Sequence, residues 1–215
     1  MRRRNFAAGA TLGALAACGG GAVSSQTCNR AVLVDCIGDS SFCGFELAQR
    51  PIKRIEATTG AQCINHAIPG WPLATHAATF DVTDSPASTV ILRVGGADTL
   101  TLTPPAAFTA QLASQVAAAQ GAGKRVILVG VIHTVRKPVE QNAIGIDAEA
   151  YERFAAHSQL MDNAVRAVAA MHAADFVDIR ALRFDGAIDI WDAVHPAQAY
   201  SDRCADAISK TLQKL

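Results

Sequence analysis

Two short stretches, far apart in the chain, hold the residue types from which a nucleophilic site can be built. Gly38-Asp39-Ser40-Ser41 offers a hydroxyl just after an apolar run, and Asp192-Ala193-Val194-His195-Pro196 offers a carboxylate and an imidazole. A serine hydroxyl is a poor nucleophile until an imidazole takes its proton. The imidazole in turn needs its other nitrogen held by a carboxylate, which fixes the tautomer and stabilises the imidazolium. Asp192 and His195 are three residues apart, so one turn of chain can bring the carboxylate to the ring. Taken singly, each stretch is equally an ordinary turn.

Taken together, with the serine after the first apolar run and Asp-x-x-His-Pro near the C-terminus, they resemble the SGNH (GDSL-type) hydrolases over residues 31–212. The resemblance implies that Ser40 is the nucleophile, His195 the general base and acid, and Asp192 its orienting partner. It also implies ester cleavage through an acyl-Ser40 intermediate, with no metal or organic cofactor. The family's second block is a glycine whose N–H helps bind the oxyanion. Gly70, in Asn65-His66-Ala67-Ile68-Pro69-Gly70, matches it, and the Ser40 N–H would be a second donor.

The third block departs from the pattern. The family reads Gly-x-Asn-Asp, and its Asn side chain donates a further bond to the oxyanion. This chain reads Gly95-Gly96-Ala97-Asp98, so Ala97 stands where that donor would be. Losing one such donor typically costs about 10²–10³ in rate. Three readings follow. Another donor takes its place, with Asn142 or His133 as candidates. Or two backbone donors suffice at reduced power. Or the site is degenerate. Asp98 cannot substitute while ionised, because a carboxylate only accepts.

Positioning these residues requires strands that end where they sit. Apolar runs at Ala31–Ile37, near Gln62–Ile68, at Thr89–Val94, at Arg125–Ile132 and around Asp175–Ile179 read as strands. The fourth is nearly all Val, Ile and Leu, as a strand covered on both faces should be. Helical patterns lie between them. Thr103-Pro104 reads as an N-cap and first turn, with Phe108, Leu112 and Val116 following at a helical interval up to Gly121. A second helix runs from Asp147 to about Met171, with Met161, Val165 and Val168 on one stripe. A third begins at Pro196 and turns Cys204, Ile208 and Leu212 inward. The stretch 133–146 reads as a loop. Alternating strands and helices predict an α/β fold, a three-layer α/β/α sandwich on a five-stranded parallel sheet. The resemblance adds a flavodoxin-like strand order of 2-1-3-4-5. In such sheets the active site lies beyond the carboxyl ends of the strands.

The chain has 215 residues and equal numbers of acidic and basic side chains, 19 of each. Half of it is apolar, which is a globular composition. Nucleic acid is a poor partner, since no basic cluster occurs after Arg2-Arg3-Arg4. No apolar stretch reaches the roughly 20 residues that span a bilayer. Residues 1–17 read instead as a signal peptide, charged first, then weakly apolar, then small before Cys18. Leu15-Ala16-Ala17-Cys18 resembles a bacterial lipobox, which implies lipidation of Cys18 and an anchor in the cell envelope, facing the periplasm or in the outer membrane. An ordinary secretory signal that happens to hold a cysteine is the alternative. Residues 18–28 would then be the lipidated cysteine and a flexible tether, and 29–215 the hydrolase domain. A chain beginning at Cys18 carries a net charge of −3. It keeps Cys28, Cys36, Cys43, Cys63 and Cys204, whose pairing the sequence leaves open. None of them has a metal-ligand spacing.

Asp35 and Arg93 place charges inside otherwise apolar strands, and adjacent strands would let them pair. Trp71 and Trp191 flank the site, either as walls of an acyl or alcohol pocket or as anchors of loops to the core. A single domain with little inserted sequence favours short acyl esters of small molecules or glycans. Two other activities fit the same residues: acyl transfer to a glycan or alcohol acceptor, and a weakened domain that binds an envelope partner.

Overall fold

The central strands of the sheet are covered on both faces, and the alternation of their side chains shows how. The computed structural model describes residues 31–44, 47–136 and 147–214. Its five strands are β1 (Leu33–Gly38), β2 (Gln62–Asn65), β3 (Thr89–Arg93), β4 (Arg125–Val129) and β5 (Asp175–Val177). All pair in parallel, in the order β2-β1-β3-β4-β5. The helices are α1 (Ser40–Cys43), α2 (Pro51–Thr59), α3 (Leu73–Thr79), α4 (Gly96–Leu100), α5 (Pro105–Gly121), α6 (Ala148–Met171) and α7 (Gln198–Leu212).

Val34, Cys36, Ile91 and Ile127 point to one face, where Ile55 of α2 and Ile208 of α7 meet them. Ile37, Val90, Leu92 and Leu128 point to the other, against Leu112 of α5 and Val165 of α6. A period of two along the strands therefore meets a period of 3.6 on the helices, and two cores form. Full burial of each such side chain contributes about 1.5–3 kcal/mol.

The three-layer α/β/α architecture and its strand order match the sequence reading, as do all five strand positions. Several boundaries shift. β2, β4 and β5 end two or three residues earlier than their apolar runs and β3 one earlier, because the last residues of those runs have left the sheet to form the loops at its carboxyl edge, whereas β1 continues one residue beyond its run to Gly38. The first turn of α5 begins at Pro105, with Pro104 at the N-cap and no side-chain cap. Thr103 is used elsewhere: its N–H donates to the Asp98 carbonyl, and its hydroxyl bonds that of Thr101. α7 starts at Gln198, two residues after Pro196. Asp147 does cap α6, accepting from the Ala150 N–H at 2.7 Å. Residues 1–28, Asn142 and most of the predicted loop at 133–146 lie outside the described residues. Among the described residues, no helix is long and apolar enough to cross a membrane.

The expected Asp35–Arg93 pair does not form. Register explains it: Asp35 pairs with Val90 and Gly38 with Arg93, so the two side chains leave the sheet on opposite faces. Asp35 accepts from Ser85 Oγ at 2.8 Å, lies 3.2 Å from His66 Nε2, and has Lys124 Nζ at 3.7 Å. Arg93 is 2% exposed, with its guanidinium carbon 6.0 Å from the centre of the Phe42 ring. None of its side-chain nitrogens has a hydrogen-bond partner. A buried cation without a counter-charge is costly. Arg93→Met should therefore raise unfolding stability by about 1–4 kcal/mol in urea titration. A loss of stability would show that the guanidinium is compensated.

Candidate active site

The site is assembled from the carboxyl ends of β1, β2 and β3, the loop after β4, and the turn before α7. β1 ends at Gly38, and Asp39 then caps α1. Its Oδ1 accepts from the Ser41 N–H at 3.0 Å and the Ser41 hydroxyl at 2.8 Å. Its Oδ2 accepts from the Ala97 N–H at 3.1 Å. One buried carboxylate thus ties the first turn of α1 to the first turn of α4. Residue 96 must be glycine for this approach, since a Cβ there would lie 2.7 Å from Asp39 Oδ2. Ser40 is left on the first turn of α1 with its hydroxyl free to point outward.

That hydroxyl meets His195. Ser40 Oγ is 2.9 Å from His195 Nε2, and His195 Nδ1 is 2.5 Å from Asp192 Oδ2. A carboxylate only accepts, so the proton between Asp192 and the ring belongs to Nδ1. Nε2 then presents its lone pair and accepts the Ser40 hydroxyl proton. The other Asp192 oxygen accepts from the Val194 and His195 N–H groups at 3.1 and 2.7 Å. Ala193, between them, is forced to a φ of +107°. That left-handed conformation costs a non-glycine residue on the order of 1–3 kcal/mol. It is held by the Val135 N–H donating to the Ala193 carbonyl at 2.9 Å and by Trp191 N–H bonding the His195 carbonyl at 3.0 Å.

Of the other sequence-derived positions, Trp191 touches this row, while Gly70, Trp71, Ala97 and His133 do not line the pocket at Ser40. Gly70 lies in the exposed loop after β2 at a φ of +74°, where glycine is favoured and nothing crowds its Cα. Ala97 is buried in α4, with its N–H engaged by Asp39 rather than aimed at substrate. His133 stacks on Phe184 at 4.4 Å and does not line the pocket at Ser40. Trp71 is tilted against buried His76 at 5.3 Å. Trp191 stacks on His195, 6.0 Å between ring centres.

Ser40 and His195 share a narrow pocket, walled by Leu100, Val131, Ile132 and Val194. Its β4 wall is braced by residues that sequence reasoning missed. Asp162 Oδ1 accepts from the Val131 N–H at 2.8 Å, and Arg180 donates to the Val131 carbonyl at 2.8 Å and the Ile132 carbonyl at 3.2 Å. Asp162 and Arg180 lie on α6 and after β5, so only the tertiary fold brings them here.

The GDSL-like lipase/acylhydrolase family profile matches residues 36–203. The chain belongs to that family. It is accordingly a serine hydrolase of esters. No curated protein matches the chain closely enough to be counted. Among solved structures, TesA is 21% identical, with 84% of this chain and 98% of that one covered at a TM-score of 0.63. The psychrotrophic esterase EstA from Pseudoalteromonas sp. is 15% identical, with 85% and 97% covered and a TM-score of 0.63. An acetylxylan esterase from Geobacillus stearothermophilus is 18% identical, with 85% and 94% covered and a TM-score of 0.65. At these identities the likeness is one of fold.

Burial opposes the charge of Asp192, but the bonds from the His195 ring and from the His195 and Val194 N–H groups outweigh it. Its pKa therefore falls below the ordinary aspartate value of 3.8. A carboxylate with a folded value below its unfolded one adds stability that is fully present above the unfolded pKa. That stability is lost as pH falls through the folded value. The stability difference between the protein and Asp192→Asn should therefore shrink between about pH 5 and about pH 2 in chemical denaturation. A difference that stays constant or grows over that interval would mean that Asp192 is not held ionised by these bonds.

Proposed function

We propose that this protein cleaves short-chain carboxylic esters through a covalent acyl-Ser40 intermediate. The unbroken row Ser40–His195–Asp192 is the observation that carries the reading. The Ser40 Oγ attacks the ester carbonyl carbon while its proton passes to His195 Nε2. The resulting imidazolium is stabilised by Asp192. The carbonyl oxygen becomes an oxyanion beside the N–H groups of Ser40 and Gly70. As the acyl C–O bond breaks, the departing alcohol takes the proton from Nε2. Water then repeats the sequence at the acyl carbon, releasing the acid and restoring the Ser40 hydroxyl.

The narrow pocket at Ser40 favours a small acyl group. Acetyl esters of envelope glycans suit it, and the fold-level likeness to an acetylxylan esterase is in keeping with that. The same reading has residues 1–17 exporting the chain, Cys18 anchoring it in the envelope by a lipid, residues 18–28 as tether and 29–215 as the hydrolase domain. Acylation of Cys18 would supply membrane affinity at about 0.8 kcal/mol per buried CH₂.

Hydrolysis of 4-nitrophenyl acetate tests the chemistry. Ser40→Ala should lower kcat by about a thousandfold or more. Equal rates would remove the acyl-Ser40 mechanism and favour the binding reading that Ala97 raises. Ala97 also gives a test of the oxyanion site. If two backbone donors work alone, Ala97→Asn restores the family's third donor and should raise kcat about tenfold or more. A fall in kcat with the fold intact would show that the space at residue 97 is already used.

A further inference from the structure

A second depression opens beside the catalytic row and has no part in the chemistry described so far. It is lined by Leu47, Ala48, Trp191, Ala197 and Gln198, and it is shallower and more open to solvent than the pocket at Ser40. Trp191 links the two, because its ring lies nearly parallel to the His195 imidazole, 23° between planes. We propose that this depression holds the alcohol half of the ester, and that this alcohol is a sugar ring lying against the Trp191 indole. The proposal rests on ester cleavage by Ser40 and His195.

Proton transfer fixes where the alcohol must be. His195 Nε2 returns its proton to the departing oxygen, so that oxygen comes within about 3 Å of Nε2. The rest of the alcohol then extends over the surface next to the imidazole ring, where Trp191 sits. The acyl half is confined to the narrow pocket at Ser40, which leaves the broad depression for the leaving group.

The chemistry of the lining selects the kind of alcohol. The Trp191 Nε1 is buried and makes no hydrogen bond. The ring therefore contributes through its faces, at the cost of an unsatisfied donor that a Leu or Phe anchor would avoid. The Gln198 amide has no donor to spare, and its oxygen already accepts one bond. Its Nε2 donates to the Gln49 carbonyl at 2.9 Å and to Asp202 at 2.8 Å, and its Oε1 accepts from the Gln49 N–H at 3.1 Å. Leu47, Ala48 and Ala197 add only apolar side chains. A pyranose matches this surface: its axial C–H groups form a flat apolar face for the indole, and its hydroxyls project from the ring edge into water. Recognition by a face tolerates different hydroxyl patterns, so the expected selectivity is for a ring over an open-chain alcohol, not for one sugar over another.

The test compares kcat/KM for an acetylated methyl pyranoside with that for ethyl acetate, by pH-stat, in the full chain and two variants. Trp191→Leu should lower the preference for the sugar ester about tenfold, mainly through KM, because it keeps apolar bulk but removes the flat face on which the ring would lie. Trp191→Phe retains a face and should keep most of the preference. Because Trp191 packs on His195, absolute rates will move on both esters, and the ratio is the deciding quantity. An unchanged ratio in Trp191→Leu overturns the proposal. So does a phenyl acetate preference that falls while the sugar preference holds, which would make the occupant an aromatic alcohol. No hydrolysis of either ester by the unaltered protein would overturn the underlying ester chemistry as well.

Discussion

The site depends on the charge of one buried carboxylate. Asp192 has no exposure to solvent, yet it accepts from two backbone N–H groups and from the His195 ring. Each of these bonds also fixes a direction. The backbone bonds fold the Asp192–His195 turn tightly enough to bring the imidazole back onto the carboxylate. The ring bond fixes which nitrogen carries the proton and so leaves Nε2 for Ser40. The turn pays for this in the backbone of Ala193, and bonds from Val135 and Trp191 hold it in place. Local geometry and proton placement are here a single arrangement.

The parallel sheet supplies the remaining order. Every strand points the same way, so the ends of β1, β2 and β3 deliver Ser40, Gly70 and Ala97 to one edge. Asp39 then joins two of those ends directly, and Asp162 with Arg180 joins the loop after β4 to α6. These polar links lie between elements far apart in sequence. They define the walls of a pocket whose bulk is otherwise apolar.

Much of this was legible in the sequence, for reasons that can be named. Strands buried on both faces read as continuous apolar runs, which makes β1, β3 and β4 plain, while β2 and β5 at the sheet edges carry shorter and weaker runs. Ser40, Asp192 and His195 carried recognisable types at suggestive places, and the structure brings them together. What could not be read depended on register and on distant partners. Asp35 and Arg93 sit on neighbouring strands as expected, but a three-residue offset sends them to opposite faces. The short helices α1 and α4 escaped notice because each is little more than one turn, fixed by the Asp39 carboxylate rather than by any periodicity. Arg180 gives no sign in sequence that it braces the β4 loop, since its acceptors there are backbone carbonyls.

The way Asp39 grips α4 has a consequence for how such a site can change. It holds residue 97 by the backbone N–H, a group that every residue but proline possesses. That bond does not depend on the side chain at the position, although the burial of Ala97 limits the side chain's size. An asparagine and an alanine offer the same N–H for the link between α1 and α4. At residue 97 the atom that joins the two helices and the side chain that varies between sequences are therefore separate groups.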